Sequence, residues 1–244
     1  LFEHQTEADR AVLPLRPSTI HPATQGTRRF FGPLSERNDE LGCFTSVEGL
    51  HWFGEQSEWM LERSQISLLG EHNLQNIAAA LLLLEPFILI QPSMCRTLTA
   101  LEHRLESFTV NNRTWINDSK ATNIEATIAA LESMTEPVTL LIGGAGKQGA
   151  NYQQLLALLE KNTKQVICFG ASGSEIHSQL ISVLSENISC TLTVDLSSAI
   201  QLARLEEDQR PVLLSPACAS FDAFNNFEHR GRFFKETLLA SEAV

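Results

Sequence analysis

The stretch from Val138 to Lys147, VTLLIGGAGK, joins a mostly apolar run to a glycine-rich turn that ends in a lysine. A short run of this kind, bounded by glycine, is typical of a strand buried on both faces of a parallel sheet. Comparable runs lie on both sides of it along the chain: Thr114–Ile116, Val166–Phe169, Thr191–Val194 and Val212–Leu214.

Helical patterns separate and follow these runs. They cover roughly residues 122–133, 151–160, 173–184, 197–206 and 226–240. Strands that alternate with helices in this way predict an α/β fold with a doubly wound, mainly parallel, Rossmann-like sheet. The alternation starts only after Leu105, so we place a domain boundary near residue 102 and expect two domains, 1–102 and 103–244.

The first part of the chain has a different pattern. Residues 41–69 predict four short strands separated by turns, at Cys43–Val47, Leu50–Phe53, Trp59–Glu62 and Gln65–Leu69. An Ala/Leu-rich helix follows up to about Leu84, before Pro86, and a second helix is expected over Pro92–Leu101. Residues 1–40 lack strong periodicity, and because residue 1 is leucine we expect it to be an internal position of a longer protein.

Composition excludes several classes of function. The net charge of −11 argues against a nucleic-acid surface, and any anionic ligand must be held by local positive groups. The apolar stretch Ile77–Leu84 is too short to span a bilayer, so no membrane insertion is expected, and nothing resembles a signal peptide. The five scattered cysteines predict neither disulfides nor a zinc site. A cytoplasmic, reducing environment fits best.

Ligands of open α/β sheets bind beyond the carboxyl ends of the strands. Four loops follow predicted strands there, and we expect them to share one edge of the sheet: residues 117–123, 143–147, 170–173 and 215–222. The loop Gly143–Lys147 is not a P-loop, because Leu141 stands where the first glycine belongs and Gln148 follows the lysine. Either it is a turn with a surface lysine, or its backbone N–H groups and Lys147 hold a carboxylate or phosphate.

The other loops also allow two interpretations. Asp118 or Ser119 could simply cap the next helix, or Asp118 could accept ribose hydroxyls while Lys120 counters an anionic charge. Ser220 could be structural or could bind a ligand. Cys218 is expected to be a small buried group, since no histidine is placed to activate it.

Five motifs are similar to those of the Mur ligases and folylpolyglutamate synthases. Two of them resemble elements shared across that superfamily: His72–Asn76 (HNLQN) and His103–Glu106 (HRLE). The other three resemble its D-glutamate-adding branch more closely: Asn117–Asn123 (NDSKATN), Ser215–Asp222 (SPACASFD) and Phe224–Gly231 (FNNFEHRG). The resemblance covers residues 65–240 well and residues 1–60 poorly.

The resemblance implies a part of a cytoplasmic, ADP-forming acid–D-amino-acid ligase of peptidoglycan synthesis. ATP, with Mg2+ held mainly by residues upstream, would activate UDP-N-acetylmuramoyl-L-alanine as an acyl phosphate, which the amine of D-glutamate then attacks. Residues 1–102 would be the tail of the central ATP-binding domain and 103–244 the C-terminal domain of a monomer. Without the P-loop, this stretch alone is expected to be inactive.

The same resemblance implies roles for individual residues. Lys120 and Lys147 would be catalytic. The D-glutamate site would comprise Thr122, Lys147, Ser220 and Phe227. The nucleotide site would comprise Asn73, Asn76, Arg104 and Asp118. No metal ligand is assigned. Ala145 departs from the family, where an acidic or other polar residue is common.

Two alternatives remain open at this stage. One is a sister ligase that adds another amino acid, or a folate glutamylase. The other is a non-catalytic module that binds a nucleotide or amino acid. A GTNGKS-like loop in preceding residues would favour an enzyme over a binding module.

Overall fold

The chain divides between Thr99 and Ala100 into two units, each with its own sheet and apolar core. The computed structural model describes residues 4–15, 24–206 and 208–240. In the first unit the sheet order follows the chain, β1-β2-β3-β4-β5. The strands are β1 (Arg10–Pro14), β2 (Thr27–Pro33), β3 (Gly42–Ser46), β4 (Gly49–Phe53) and β5 (Glu58–Glu62).

The first unit combines parallel and antiparallel pairing. Strands β1, β2 and β3 are parallel, whereas β3, β4 and β5 form an antiparallel meander. Helix α1 (Glu71–Leu84) packs on β2 and β3. Its buried residues recur at three- and four-residue spacing and so form one apolar face: Leu74, Ile77, Ala78, Leu81 and Leu82.

Two predictions for this unit are wrong. The segment Gln65–Leu69 is not a strand, because a 3₁₀ turn covers Arg63–Gln65 and the Arg63 guanidinium then donates to the carbonyls of Ile66, at 2.8 Å, and Leu68, at 2.6 Å. These bonds occupy acceptors that a sheet would need. The helix expected over Pro92–Leu101 shrinks to α2 (Ser93–Arg96). The Leu98 carbonyl instead accepts from the Ser67 hydroxyl at 2.6 Å.

The second unit confirms the doubly wound sheet. Its six strands lie in the order β10-β9-β8-β11-β7-β6, and all neighbours are parallel except β6 and β7. They are β6 (Glu106–Val110), β7 (Arg113–Asn117), β8 (Val138–Gly143), β9 (Thr163–Phe169), β10 (Ser189–Leu192) and β11 (Val212–Leu214). Strand β6 is not among the strands predicted from the sequence. It pairs with β7 through the turn residues Asn111 and Asn112, at φ 51° and 61°.

Helices cover both faces of this sheet. They are α3 (Ile124–Glu132), α4 (Leu156–Asn162), α5 (Gly173–Leu180), α6 (Leu196–Arg204) and α7 (Phe227–Leu239). The three successive connections β7–β8, β8–β9 and β9–β10 all proceed in one direction across the sheet. The connection from β10 to β11 runs back in the other direction. Because such crossovers are right-handed, α6 lies on the face opposite α3, α4 and α5, and α7 packs beside it.

Candidate functional site

The four loops that follow β7, β8, β9 and β11 meet at one edge of the second unit's sheet, as predicted. The Gly143 amide donates to Pro216 O at 3.0 Å, and Ser172 N donates to Gly144 O at 2.9 Å. Ala145 and Ala219 exchange two backbone bonds, of 2.8 and 3.0 Å. These are main-chain bonds that any residue except proline can make at position 145, so Ala145 does not disturb the loop.

The glycine-rich loop after β8 is held by its neighbours. Gly144 has φ 124°, and a Cβ there would lie 2.4 Å from Ala219 O. The Gly144 amide donates to Phe169 O at 3.2 Å and the Gly146 amide to Ser172 Oγ at 2.8 Å. With Gly143 and Ala145 bonded as described, all four amides from 143 to 146 have protein partners.

The second interpretation of this loop, in which its backbone N–H groups hold a carboxylate or phosphate, therefore needs correction. Its glycine amides are not available to cradle an anion, since each already donates within the protein. What the loop can offer a ligand is the exposed Lys147 side chain that follows it. A turn bond from Ala150 N to Lys147 O, 3.1 Å long, fixes the backbone there.

Asp118 is the most perturbed carboxylate at this edge. Its residue is 8% exposed, Oδ2 accepts from Ser215 Oγ at 2.9 Å and Oδ1 from Leu105 N at 3.3 Å. Burial raises the pKa of this carboxyl to about 7, against the opposing effects of both bonds and of the exposed Arg104. Asp118 thus titrates near neutral pH in the protein.

Neither Asp118 nor Ser119 caps α3. Asn123 does so, since its side chain accepts from Ala126 N at 2.8 Å. The capping interpretation of this loop is therefore wrong. The Ser119 hydroxyl instead donates to Phe227 O at 2.8 Å and ties the β7 loop to the start of α7.

Lys120 and Phe227 are brought into direct contact. The Lys120 ammonium lies 3.8 Å from the centroid of the Phe227 ring, a short cation–π distance. Phe227 is the first residue of α7, and Asn226 caps this helix by accepting from His229 N at 2.7 Å. The structure therefore places a lysine beside the positive end of a helix, where the first amides have no partner within the helix.

Thr122, Ser220 and Lys147 belong to three loops of the same edge. Thr122 is half-buried, Lys147 is exposed and Ser220 is 2% exposed. Among the described residues, no hydrogen bond joins the Lys147 side chain to either hydroxyl. The fold thus brings their loops together, whereas convergence of the three side chains on one ligand remains a prediction.

A residue that was not predicted from the sequence, Arg230, holds this edge together. Arg230 on α7 is fully buried, and its guanidinium donates to Ser119 O at 2.8 Å, Ser119 Oγ at 3.0 Å and Cys218 O at 3.0 Å. A further bond reaches Ala219 O at 3.2 Å. Burial lowers its pKa to about 10. Arg230 lies inside the FNNFEHRG motif, which could have identified it as important. An arginine at that position is equally compatible with an exposed residue on the surface of a helix.

The HRLE motif builds a second buried network. His103 and Leu105 have positive φ angles of 66° and 45°. The Asn117 side-chain amide donates to His103 Nδ1 at 3.0 Å and to Gly231 O at 3.2 Å. A Cβ at Gly231 would lie 2.2 Å from His103 Nδ1, so α7 needs glycine there to approach the ring.

The remaining predicted nucleotide residues lie on α1 of the first unit. The Asn73 side chain donates to Leu69 O at 2.7 Å, and Asn76 is exposed. Their meeting with Arg104 and Asp118 remains a prediction. Cys218 is 1% exposed as expected, its pKa is raised by burial, and its sulfur lies 3.2 Å from the Tyr152 hydroxyl.

The described residues contain no cluster of three or more His, Cys, Asp or Glu side chains suited to a metal ion. Within the same residues, no helix has the length and apolar character that a membrane crossing requires.

Comparison with known proteins identifies relatives over most of the chain. A UDP-N-acetylmuramoylalanine–D-glutamate ligase of Christiangramia forsetii is 36% identical over 208 residues, which are 83% of this chain and 46% of that protein. A protein of the same name from Koribacter versatilis is 34% identical over 247 residues, 97% of this chain and 52% of its own length. The chain thus spans about half the length of these relatives.

Solved structures share the fold at low sequence identity. A Mur ligase structure from Acinetobacter baumannii, MurF, has a TM-score of 0.63 and 16% identity over 98% of this chain and 53% of its own. A folylpolyglutamate synthase from Thermotoga maritima has a TM-score of 0.59 and 14% identity, covering 88% of this chain and 49% of its own. At such identities the comparison concerns the fold alone.

The family comparison agrees with the site's position. Residues 103–218 match the family model described as Mur ligase, glutamate ligase domain. This range holds the HRLE motif, the loops after β7, β8 and β9, and the start of the loop after β11. The chain therefore belongs to the Mur ligase family, with its glutamate ligase domain in the second unit.

Proposed function

We propose that this chain supplies the acceptor-binding part, and part of the nucleotide site, of a ligase that joins D-glutamate to UDP-N-acetylmuramoyl-L-alanine at the expense of ATP. The relatives that share 34–36% identity with it carry that name. One structural observation supports the proposal most strongly. Lys120, Lys147 and the start of α7 share one edge of the sheet in a protein with a net charge of −11.

D-Glutamate is a dianion at its two carboxylates, so its binding requires local positive charge and directed donors. In the proposal, Lys147 and Lys120 supply charge, the hydroxyls of Thr122 and Ser220 supply direction, and the Phe227 amide supplies a helix-start donor. The contact of Lys120 with Phe227 limits the rotamers that its long side chain samples. Holding the ammonium in place in advance reduces the entropy lost on binding.

The nucleotide would be held by Asp118 and Arg104, with Asn73 and Asn76 at the adenine. Asp118 suits a ribose, because a carboxylate has about four lone-pair sites and the bonds from Ser215 and Leu105 use two of them. Arg104 is exposed and lies near enough to lower the Asp118 pKa, so it can face a phosphate. We assign no residue of this chain to Mg2+.

ATP supplies the phosphoryl group that turns the substrate carboxylate into an acyl phosphate, with release of ADP. The residues of this chain act by positioning and by charge. Lys147 and Lys120 neutralise the acceptor carboxylates, so that the amine of D-glutamate can approach an anionic acyl phosphate. Fixing both reactants in one geometry is the main source of rate enhancement in such transfers.

In this proposal residues 1–102 are the tail of the central ATP-binding domain and residues 103–244 the C-terminal domain of a cytoplasmic monomer. A sister ligase or folate glutamylase would use the same fold with another acceptor or substrate. A binding module would use the same loops without turnover.

The test is mass spectrometry of the product made by the full-length enzyme with ATP, UDP-N-acetylmuramoyl-L-alanine and a single D- or L-amino acid in each separate reaction. A D-glutamyl product supports the proposal, another amino-acid product supports a sister ligase, and binding without product supports the module. The 244-residue chain alone is the control, and we expect it to form no product. In the full-length protein, Arg104→Ala should raise KM for ATP far more than KM for D-glutamate.

A further inference from the structure

A cavity of about 540 Å³ opens at the edge of the second unit's sheet where the four loops meet. It lies past the ends of β9 and β10, against the start of α6 and the side of α7. None of the residues proposed above for acceptor or nucleotide binding lines it. Its size falls within the range of roughly 300–1,000 Å³ that is typical of small-molecule sites, and its position follows the general rule for ligands of α/β sheets.

The floor of this cavity is apolar and aromatic. Phe169 is 2% exposed, and the rings of Phe224 and Phe233 lie 5.4 Å apart between centroids. Val194, which is 84% exposed, stands at the margin with Leu196 below it. The cavity therefore presents aromatic and aliphatic surface that gains from contact with an apolar ligand body.

Two carboxylates line the same cavity. Asp195 Oδ1 accepts from Ser198 N at 2.8 Å and caps α6, and Asp222 Oδ2 accepts from Ala171 N at 3.1 Å. The bond to Ser198 also lowers the pKa of Asp195, which is ionised at neutral pH. The bond to Ala171 uses only Oδ2 of Asp222, and no lysine, arginine or histidine is among the described residues that line the cavity.

We propose that this cavity binds an amphipathic organic cation, a primary amine or guanidinium carried on an aromatic or branched aliphatic body. The body would pack on Phe224 and Phe233, and the cation would pair with Asp195 and Asp222. Aromatic faces also attract cations, so the aromatic floor of the cavity and its two carboxylates both favour a cationic ligand. An anion of the same shape would meet two carboxylates and no lysine, arginine or histidine side chain among the residues that line the cavity.

Three probes of similar shape separate charge from apolar contact: phenethylamine, 2-phenylethanol and 3-phenylpropionate. Each is titrated into the 244-residue chain and followed by amide chemical shifts. We expect the amine to bind about tenfold more tightly than the alcohol, since a charge-assisted bond contributes roughly 1.5 kcal/mol or more. The propionate should bind most weakly. The shifts should centre on Ala171, Leu196, Asp222 and Ala223.

Isosteric variants test the two carboxylates without removing their structural bonds. Asp195→Asn keeps a good helix cap, and Asp222→Asn keeps an acceptor for Ala171 N. Each should weaken amine binding about three- to tenfold and leave alcohol binding unchanged, whereas Glu186→Gln, exposed and outside the cavity, should change neither. Equal affinities for amine and alcohol, shifts centred elsewhere, or amine binding unaffected by both aspartate changes would overturn the proposal. Absence of binding by all probes would overturn it too.

Discussion

The guanidinium of Arg230 donates to the carbonyl oxygen of Ser119, 111 residues earlier in the chain, at 2.8 Å. The same side chain reaches Cys218 O and Ala219 O. It therefore joins the loop that carries Lys120 and Thr122 to the loop that carries Ser220. A single buried arginine sets the spacing between two loops of the proposed acceptor site.

Replacing Arg230 should damage both stability and acceptor binding. Arg230→Met leaves several buried acceptors without donors, and we expect a loss of about 3–5 kcal/mol in the free energy of unfolding of the 244-residue chain. Arg230→Lys keeps the charge but loses the planar fork, and we expect an intermediate loss. Urea unfolding measures both, with the exposed Arg232→Lys as control. Equal stability of Arg230→Met and wild type would contradict this role.

Lys147→Ala in the full-length enzyme should lower kcat/KM for D-glutamate by an amount corresponding to about 2–4 kcal/mol, because an acceptor carboxylate loses its charged partner. Ser220→Ala should cost less, roughly 1–2 kcal/mol, since water can replace a neutral donor. The ATP dependence should change little. Steady-state kinetics at saturating ATP and UDP-substrate measures this.

The matched control for this experiment is Lys161→Ala, an exposed lysine in the last turn of α4. If Lys147→Ala left both kcat and KM for D-glutamate unchanged, Lys147 would be an ordinary solvated turn residue. Urea unfolding of the same variants separates a loss of binding from a loss of stability.

The contact between Lys120 and Phe227 should appear as a coupling energy. Lys120→Met removes the cation, Phe227→Leu removes the ring, and the double variant removes both. A double-mutant cycle on kcat/KM for D-glutamate should give about 0.5–2 kcal/mol of coupling, as for a partly desolvated cation–π pair. Additive effects of the two changes would show that the residues act independently.

Asp118 should make the stability of the chain depend on pH in the direction opposite to that of a salt-bridged aspartate. Its pKa of about 7 lies above the ordinary aspartate value of 3.8, so the folded protein binds more protons than the unfolded chain between these values. The favourable contribution of Asp118 to the free energy of unfolding is complete below about pH 4 and is lost as pH rises through 7. The size should be on the order of 2–4 kcal/mol.

The measurement is urea unfolding of wild type and Asp118→Asn between pH 4 and 8.5. The stability of the variant relative to wild type should increase over that range, most steeply between pH 5 and 7. Asp208→Asn is the control, because hydrogen bonding from Arg210 lowers the pKa of exposed Asp208 below its ordinary value of 3.8, so the stability of this variant relative to wild type should stay nearly constant over the same range. Parallel pH profiles of wild type and Asp118→Asn would refute an elevated pKa.

Much of the second unit followed from local patterns. Runs such as Val138–Ile142 need burial on both faces, and only a parallel sheet with helices on both sides provides it. Prediction failed where backbone polar groups were satisfied by distant partners. The segment Gln65–Leu69 has a strand-like composition, but the Arg63 side chain occupies two of its carbonyls. Strand β6 was missed for a different reason: it is an edge strand in which only Val110 is buried, so no apolar run marks it in the sequence.

The sequence by itself indicated the family, because five of its motifs resemble those of known members. It also determined the alternation of strands and helices in the second unit and the edge of the sheet at which the polar loops lie, because these depend on local periodicity and on the rule that parallel strands end together. Only the tertiary structure decided which groups at that edge are available. It showed that the amides of residues 143–146 are already bonded, that Asp118 titrates near pH 7, and that Arg230 ties two loops together. Hydrogen-bond partners and burial arise from residues far apart in the chain, so no local pattern carries them.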